Sequence, residues 1–118
     1  MIENSQDIEK KILNLRNFFA THQTLDTTFR IKSLRKLKKA ILENEKDIFK
    51  ALHQDLHKSD FESFSTEVGI ILTEIDYQIK HLRKWSREEH KFTPFVLFPS
   101  RSKIARGPYG VVLVIAPW

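Results

Sequence analysis

No cysteine occurs among the 118 residues. Within them, that excludes a disulfide scaffold, a thiolate metal site and a catalytic thiol. Glycine and proline are also scarce, at three and four, which is not the composition of a low-complexity linker. No apolar run approaches the ~20 residues needed to cross a bilayer as a helix. The start, MIENSQDIEK, lacks the basic-then-apolar pattern of a secretion signal. These absences lead us to expect a soluble, cytoplasmic chain. Internal repeats are missing too.

What is present suits a folded polypeptide. Hydrophobic residues make up 41% and charged residues 30%, a balance that argues against disorder. Twenty Lys or Arg against fifteen Asp or Glu leave a mild net charge of +5. The length falls short of a typical domain of ~150 residues. A chain of this size can still bury roughly two thirds of its unfolded surface.

The first ninety residues read as helices. Ile8, Ile12, Leu15 and Phe19 recur at helical spacing, with Ser5 suited to cap the start. Thr24 to Thr28 forms a break with capping residues. Ile31, Leu34, Leu37 and Ile41 form the stripe of a second helix. Asn44 is a break or kink, and Ile48, Leu52 and Leu56 carry a third stripe, widened by Phe49. His57 to Asp60 reads as a turn, with Ser59 or Asp60 as a cap. A long helical stretch follows from about Glu62 to Glu89, with Val68, Ile71, Leu72, Ile75, Ile79, Leu82 and Trp85 on its buried face. Gly69 costs up to ~1 kcal/mol relative to Ala inside a helix. It signals either close packing of another backbone or a later helix start.

The character changes after Lys91. Thr93-Pro94 ends the helical reading, and PFVLFP (94–99) is an apolar loop between prolines. Ser102 to Arg106 has the look of a short strand. Gly107-Pro108-Tyr109-Gly110 signals a turn. Val111 to Ile115 is β-branched and apolar on both faces, the pattern of an interior parallel strand. Such a strand needs a neighbour and a crossover of a dozen or more residues. The sequence therefore reads as the front part of an α/β protein that stops at the first strand of its sheet. The competing reading is a complete helical protein with a terminal hairpin.

Several groups invite a functional reading. The run Arg30, Lys32, Arg35, Lys36, Lys38 and Lys39 suits phosphates or an anionic membrane surface, but its interleaved apolar residues suit a solvated helix face better. His53 and His57 have the spacing of a zinc-protease pair. The residue after the first histidine is Gln54, where that chemistry needs a Glu base. Glu88 and Glu89, among Arg83, Lys84 and Arg87, read as surface ion pairs. Phe61, Phe64, Trp85, Phe92, Phe95 and Phe98 read as core and packing anchors. Gly107 and Gly110 precede the strand, whereas a phosphate-cradling loop follows one. Ala116-Pro117-Trp118 lies beyond the carboxyl end of that strand, where open α/β sheets bind ligands.

GPYGVVLVIAPW (107–118) resembles the segment that opens the cofactor-binding domain of aldehyde dehydrogenases, P-x-G-V-V, an apolar run, then P-W-N-[YF]-P. RIKSLRKLKKAILENEKDIFKALHQDLHKSDFES resembles that family's second and third N-terminal helices. TEVGIILTEIDYQIKHLRKW resembles its next helix, and PFVLFPSRSKIARGPYG its following link and strand. The short N-terminus and PFVLFP suit the class-3 branch, whose members oxidise fatty and aromatic aldehydes. The resemblance implies an α/β parent fold with a Rossmann-type cofactor domain, a catalytic domain and a small β oligomerisation element. Residues 1–92 would be the helical part of the cofactor domain. Residues 93–110 would be the link and strand toward the oligomerisation element, and 111–118 the first strand of the cofactor sheet. Ile115, Ala116, Pro117 and Trp118 match the segment lining the nicotinamide–ribose side of the site for NAD or NADP.

The family's reaction uses a cysteine thiolate to attack the aldehyde. Hydride then passes to NAD(P)+, and a Glu base activates the water that hydrolyses the thioester. An Asn side chain stabilises the oxyanion. None of these groups has a match here, so no catalytic residue is assigned, and Glu67 and Glu74 are not candidates. The expectation is an inactive N-terminal portion that does not hold the nucleotide tightly. Its parent would be a homodimeric NAD(P)-dependent aldehyde dehydrogenase, with no nucleic-acid partner. Two other readings remain: a small basic helical module using Arg30 to Lys39 on nucleic acid or an anionic membrane, and a piece that self-associates through the exposed strand.

Overall fold

A computed structural model describes residues 5–115. Five helices fill most of it: α1 (Ser5–Ala20), α2 (Thr27–Glu43), α3 (Glu45–Leu56), α4 (Asp60–Ser63) and α5 (Gly69–Trp85). A 3-10 turn, Gln23–Leu25, joins α1 to α2, and a π turn, Phe64–Val68, joins α4 to α5. Two short strands follow, β1 (Glu89–Lys91) and β2 (Ser102–Ile104). They pair antiparallel, with Glu89 opposite Ile104 and Lys91 opposite Ser102.

Local chemistry sets the helix boundaries. His22 takes a left-handed backbone (φ 61°) just past the end of α1. Asp26 then caps α2, its carboxylate accepting from the N–H of Thr28 at 2.9 Å and of Phe29 at 3.2 Å. These satisfy donors that a helix start leaves without partners. Asn44 separates α2 from α3, its side-chain amide donating to the Ala40 carbonyl at 2.8 Å. Ser59 begins α4 with a capping box: its hydroxyl accepts from Glu62 N–H at 3.3 Å, and the Glu62 carboxylate accepts from Ser59 N–H at 2.9 Å. The expected breaks at 24–28, Asn44 and 57–60 are therefore where the chain turns.

Packing is thin. α2 lies against α5, and the buried apolar side chains among the described residues are Ile31, Val68 and Ile75. The accessible surface is 10624 Å², against roughly 6700 Å² for a compact monomer of this mass. The radius of gyration is 20.1 Å, against roughly 13.5 Å for a compact chain of this length. Most apolar stripes read from the sequence are real but have nothing to pack against. Ile8, Ile12, Leu15, Leu37, Leu56 and Ile71 are exposed.

Three expectations need correction. The long helix ends at Trp85, not Glu89, because Glu89–Lys91 pairs with β2 instead. Gly107–Gly110 forms no hydrogen-bonded turn; its backbone is irregular. Phe61, Phe64, Trp85, Phe92, Phe95 and Phe98 are exposed rather than core, since no described element covers them. Val111–Ile115 lies without a ladder: a strand requires a partner strand, and none lies beside it among the described residues.

Gly69 has a local explanation. Its N–H reaches back to the Phe64 carbonyl, the i→i+5 bond of a π turn. A Cβ at Gly69 would lie 2.9 Å from that oxygen and 3.3 Å from the Phe64 ring. The close backbone is thus that of its own helical path.

Candidate functional site

The end of the described chain is seated by α1. Gly110 has φ +100°, and a Cβ there would meet the Phe19 ring at 3.4 Å. Leu15, Phe18, Phe19 and Thr24 line a small hollow with Gly110, Val111 and Val112. This contact directs the backbone into residues 111–115. Ile115 is 81% exposed. Ala116, Pro117 and Trp118 lie outside the described residues. No cavity among the described residues is lined by Ile115, and no chemical step follows from them.

The other candidates resolve into local structure. In the basic run, Lys38 grips both carboxylate oxygens of Asp76 at 2.7 Å, tying α2 to α5. Lys39 faces Glu43 one turn on at 3.5 Å, and the Arg30 guanidinium donates to the Leu25 carbonyl at 2.9 Å. His57 ends α3 with a left-handed backbone (φ 54°). His53 Nδ1 lies 3.1 Å from the Lys58 carbonyl. Among the described residues no group of three or more His, Asp or Glu is placed to hold a metal ion.

Glu88 and Glu89 do form surface ion pairs, but with partners from β1 and beyond rather than with Arg83, Lys84 or Arg87. Glu88 pairs with Lys103 at 2.7 Å, and Glu89 with Lys91 and with Arg106 at 3.0 Å. The Lys103 ammonium holds the Glu88 carboxyl below its ordinary value, and Lys91 and then Arg106 do the same to Glu89. The sequence reading did not anticipate Lys58. Its ammonium bonds Thr66 Oγ1 at 3.1 Å and pairs with Glu67, pinning the turn before α4 to the π turn. Glu74 accepts a hydrogen bond from Gln78 on the same helix at 2.6 Å. No short-range pattern marks the Lys58 contact, because its partners lie eight and nine residues away.

The model of the aldehyde dehydrogenase family matches residues 2–118. The chain belongs to that family. Its relatives place it in the class-3-like branch. The 4,4'-diaponeurosporen-aldehyde dehydrogenase of Staphylococcus aureus is 45% identical over 111 residues, covering 94% of this chain and 24% of that protein. Aldehyde dehydrogenase family 3 comG of Dictyostelium discoideum is 38% identical over 105 residues, covering 89% and 22%. Family 3 member B3 of Mus musculus is 34% identical over 116 residues, covering 98% and 24%. A solved structure, the substrate-bound state of Staphylococcus aureus AldH, matches with a TM-score of 0.90 at 45% identity, covering 94% of this chain and 24% of that one. The chain thus spans about a quarter of the length of these relatives. The mainly helical architecture with two short strands is that of the corresponding portion of an aldehyde dehydrogenase.

Proposed function

We propose that the chain is the amino-terminal part of an NAD(P)-dependent aldehyde dehydrogenase that oxidises aldehydes to carboxylic acids. The observation that carries this is the family match over residues 2–118 together with a fold likeness of TM-score 0.90. In this reading the helices form the outer part of the cofactor domain. Val111–Ile115 becomes the first strand of the cofactor sheet once a neighbouring strand lies beside it. Ile115, Ala116, Pro117 and Trp118 line the nicotinamide–ribose side of the nucleotide site, for NAD or NADP. Gly110 and Phe19 support that assignment, because together they fix the direction in which this segment leaves α1. The whole enzyme is a cytoplasmic homodimer, with its cysteine nucleophile, glutamate base and oxyanion asparagine beyond residue 118. Its substrates are apolar aldehydes, a class suggested by the diaponeurosporen-aldehyde in the bacterial relative's name.

The test has two parts. Reading the gene past codon 118 should give Asn, an aromatic residue and Pro. Its complete product should reduce NAD(P)+ in the presence of a long-chain aldehyde, while the 118-residue chain does not. A complete product without aldehyde-dependent NAD(P)H formation overturns the reading.

A further inference from the structure

Alternation normally fixes how a strand lies. Moving a strand by one residue sends every side chain to the opposite face, so a strand with a single apolar face has one favoured register. The run Val111-Val112-Leu113-Val114-Ile115 lacks that device, since both its faces are apolar. Its five side chains are also alike in size. A shift of one residue exchanges one set of aliphatic side chains for another at little cost. Something outside the run has to choose its phase.

The approach to the run holds one fixed point. No ladder orders residues 105–115. A Cβ on Gly107 would meet nothing within 4 Å. Gly110 differs: it has φ +100°, and a Cβ there would stand 3.4, 3.6 and 3.7 Å from three carbons of the Phe19 ring. Its chain neighbours are Tyr109 and Val111. Neither suits a positive φ, where a β-branched or bulky residue is an outlier. A slip of one residue in either direction would put one of them at that backbone and against that ring. The ring itself stands on an anchored helix end. Phe18 beside it lies 5.9 Å from Phe29 of α2, centroid to centroid, and the Phe18 carbonyl accepts from the Thr21 hydroxyl at 2.7 Å just past α1. The hold is short: Val111 and Val112 line the hollow beside Phe19, and Leu113 does not.

We propose that Phe19 is the register stop of this run: its ring accepts Gly110 and neither of its neighbours, and so decides which residue begins the strand and which face each side chain takes. Phe19 is then a positioning residue, acting through the backbone that it aligns. The phase itself rests only on contacts within this chain. Its consequence for the proposed enzyme rests on that reading: the phase carries on into Ile115, Ala116, Pro117 and Trp118 and decides which of them line the site.

The lack of cysteine makes the test clean, because any disulfide within the chain must join two introduced thiols. Leu15 lines the same hollow as Phe19. Leu15→Cys is combined in turn with Val111→Cys, Val112→Cys, Leu113→Cys and Val114→Cys in the 118-residue chain, at a dilution that disfavours cross-linked dimers, and closure under a mild oxidant is timed. A disulfide needs its Cα atoms within about 7 Å of each other, so the closure rates read the alignment. The faster of the pairs with 111 and 112 should close roughly tenfold faster or more than those with 113 and 114. Adding Phe19→Ala should remove that preference, and Phe19→Tyr should keep it. A general loss of stability would change all four rates alike and leave their ratios standing, and circular dichroism checks that the helices persist. Equal closure at all four positions in the otherwise unaltered chain overturns the proposal, as does a preference that survives Phe19→Ala. Neither aldehyde nor nucleotide enters the experiment, so its failure and a failed dehydrogenase assay on the complete product are separate results.

Discussion

The Phe64 carbonyl oxygen stands 2.9 Å from where a Cβ on Gly69 would be. That distance is set by the π turn, which carries the Phe64 carbonyl to the Gly69 N–H. Intrinsic propensity favours Ala over Gly in a helix by up to ~1 kcal/mol. The crowding reverses the sign, since the Phe64 oxygen is backbone and cannot swing aside. Gly69→Ala should therefore destabilise the chain by about 1–3 kcal/mol. Hydrogen exchange of the α5 amides in the variant measures this, and slower exchange than in the parent chain would show that the turn relaxes instead.

Acid should loosen the caps. Hydrogen bonds from the Thr28 backbone hold the Asp26 carboxyl below its ordinary value, and bonds from Ser59 do the same for Glu62. A folded-state pKa below the unfolded one gives stability above the unfolded pKa. It is lost as pH falls through the folded value. Helicity followed by circular dichroism should thus hold from neutral pH down to the ordinary carboxylate range near ~4 and decline below it. Ser59→Ala should lower stability by about 1 kcal/mol and make the acid decline somewhat shallower, because Glu62 loses the Ser59 hydroxyl donor while keeping the backbone N–H. An unchanged acid profile in that variant counts against the cap as its source.

Gly110 is held at φ +100° against the Phe19 ring. Few side chains tolerate that backbone. Gly110→Ala should cost about 1–2 kcal/mol and release the following residues from α1. Greater backbone mobility at Val111 and Val112 by NMR relaxation, with α5 unaffected, is the expected result. Unchanged mobility there would mean that Phe19 does not seat this segment.

Much of the helical order is legible because its signals are local. Asp26, Asn44 and Ser59 are residues whose side chains bond nearby backbone groups, and each stands at a boundary. The π turn is not legible, because a widened ring leaves the apolar spacing nearly intact and betrays itself only through Gly69. Nor is the end of α5. Leu82 and Trp85 continue the helical period, while the pairing of Glu89 with Ile104 is decided far down the chain. Two-sided apolarity marks Val111–Ile115 as an interior strand, but an interior needs neighbours. The assignment of Ile115 to Trp118 came from likeness to a family segment. Position beyond the end of the 111–115 strand is a weak signal for 116–118 alone, and Ile115 is the one of the four that the structure describes.

The surface left uncovered has a thermal consequence. Heat-capacity change on unfolding comes chiefly from apolar groups newly exposed to water. A chain whose buried apolar side chains among the described residues are Ile31, Val68 and Ile75 has few to expose. Its stability curve should be nearly flat, with warming and cooling alike changing it slowly, and its melting should spread over a wide range rather than pass through one sharp step.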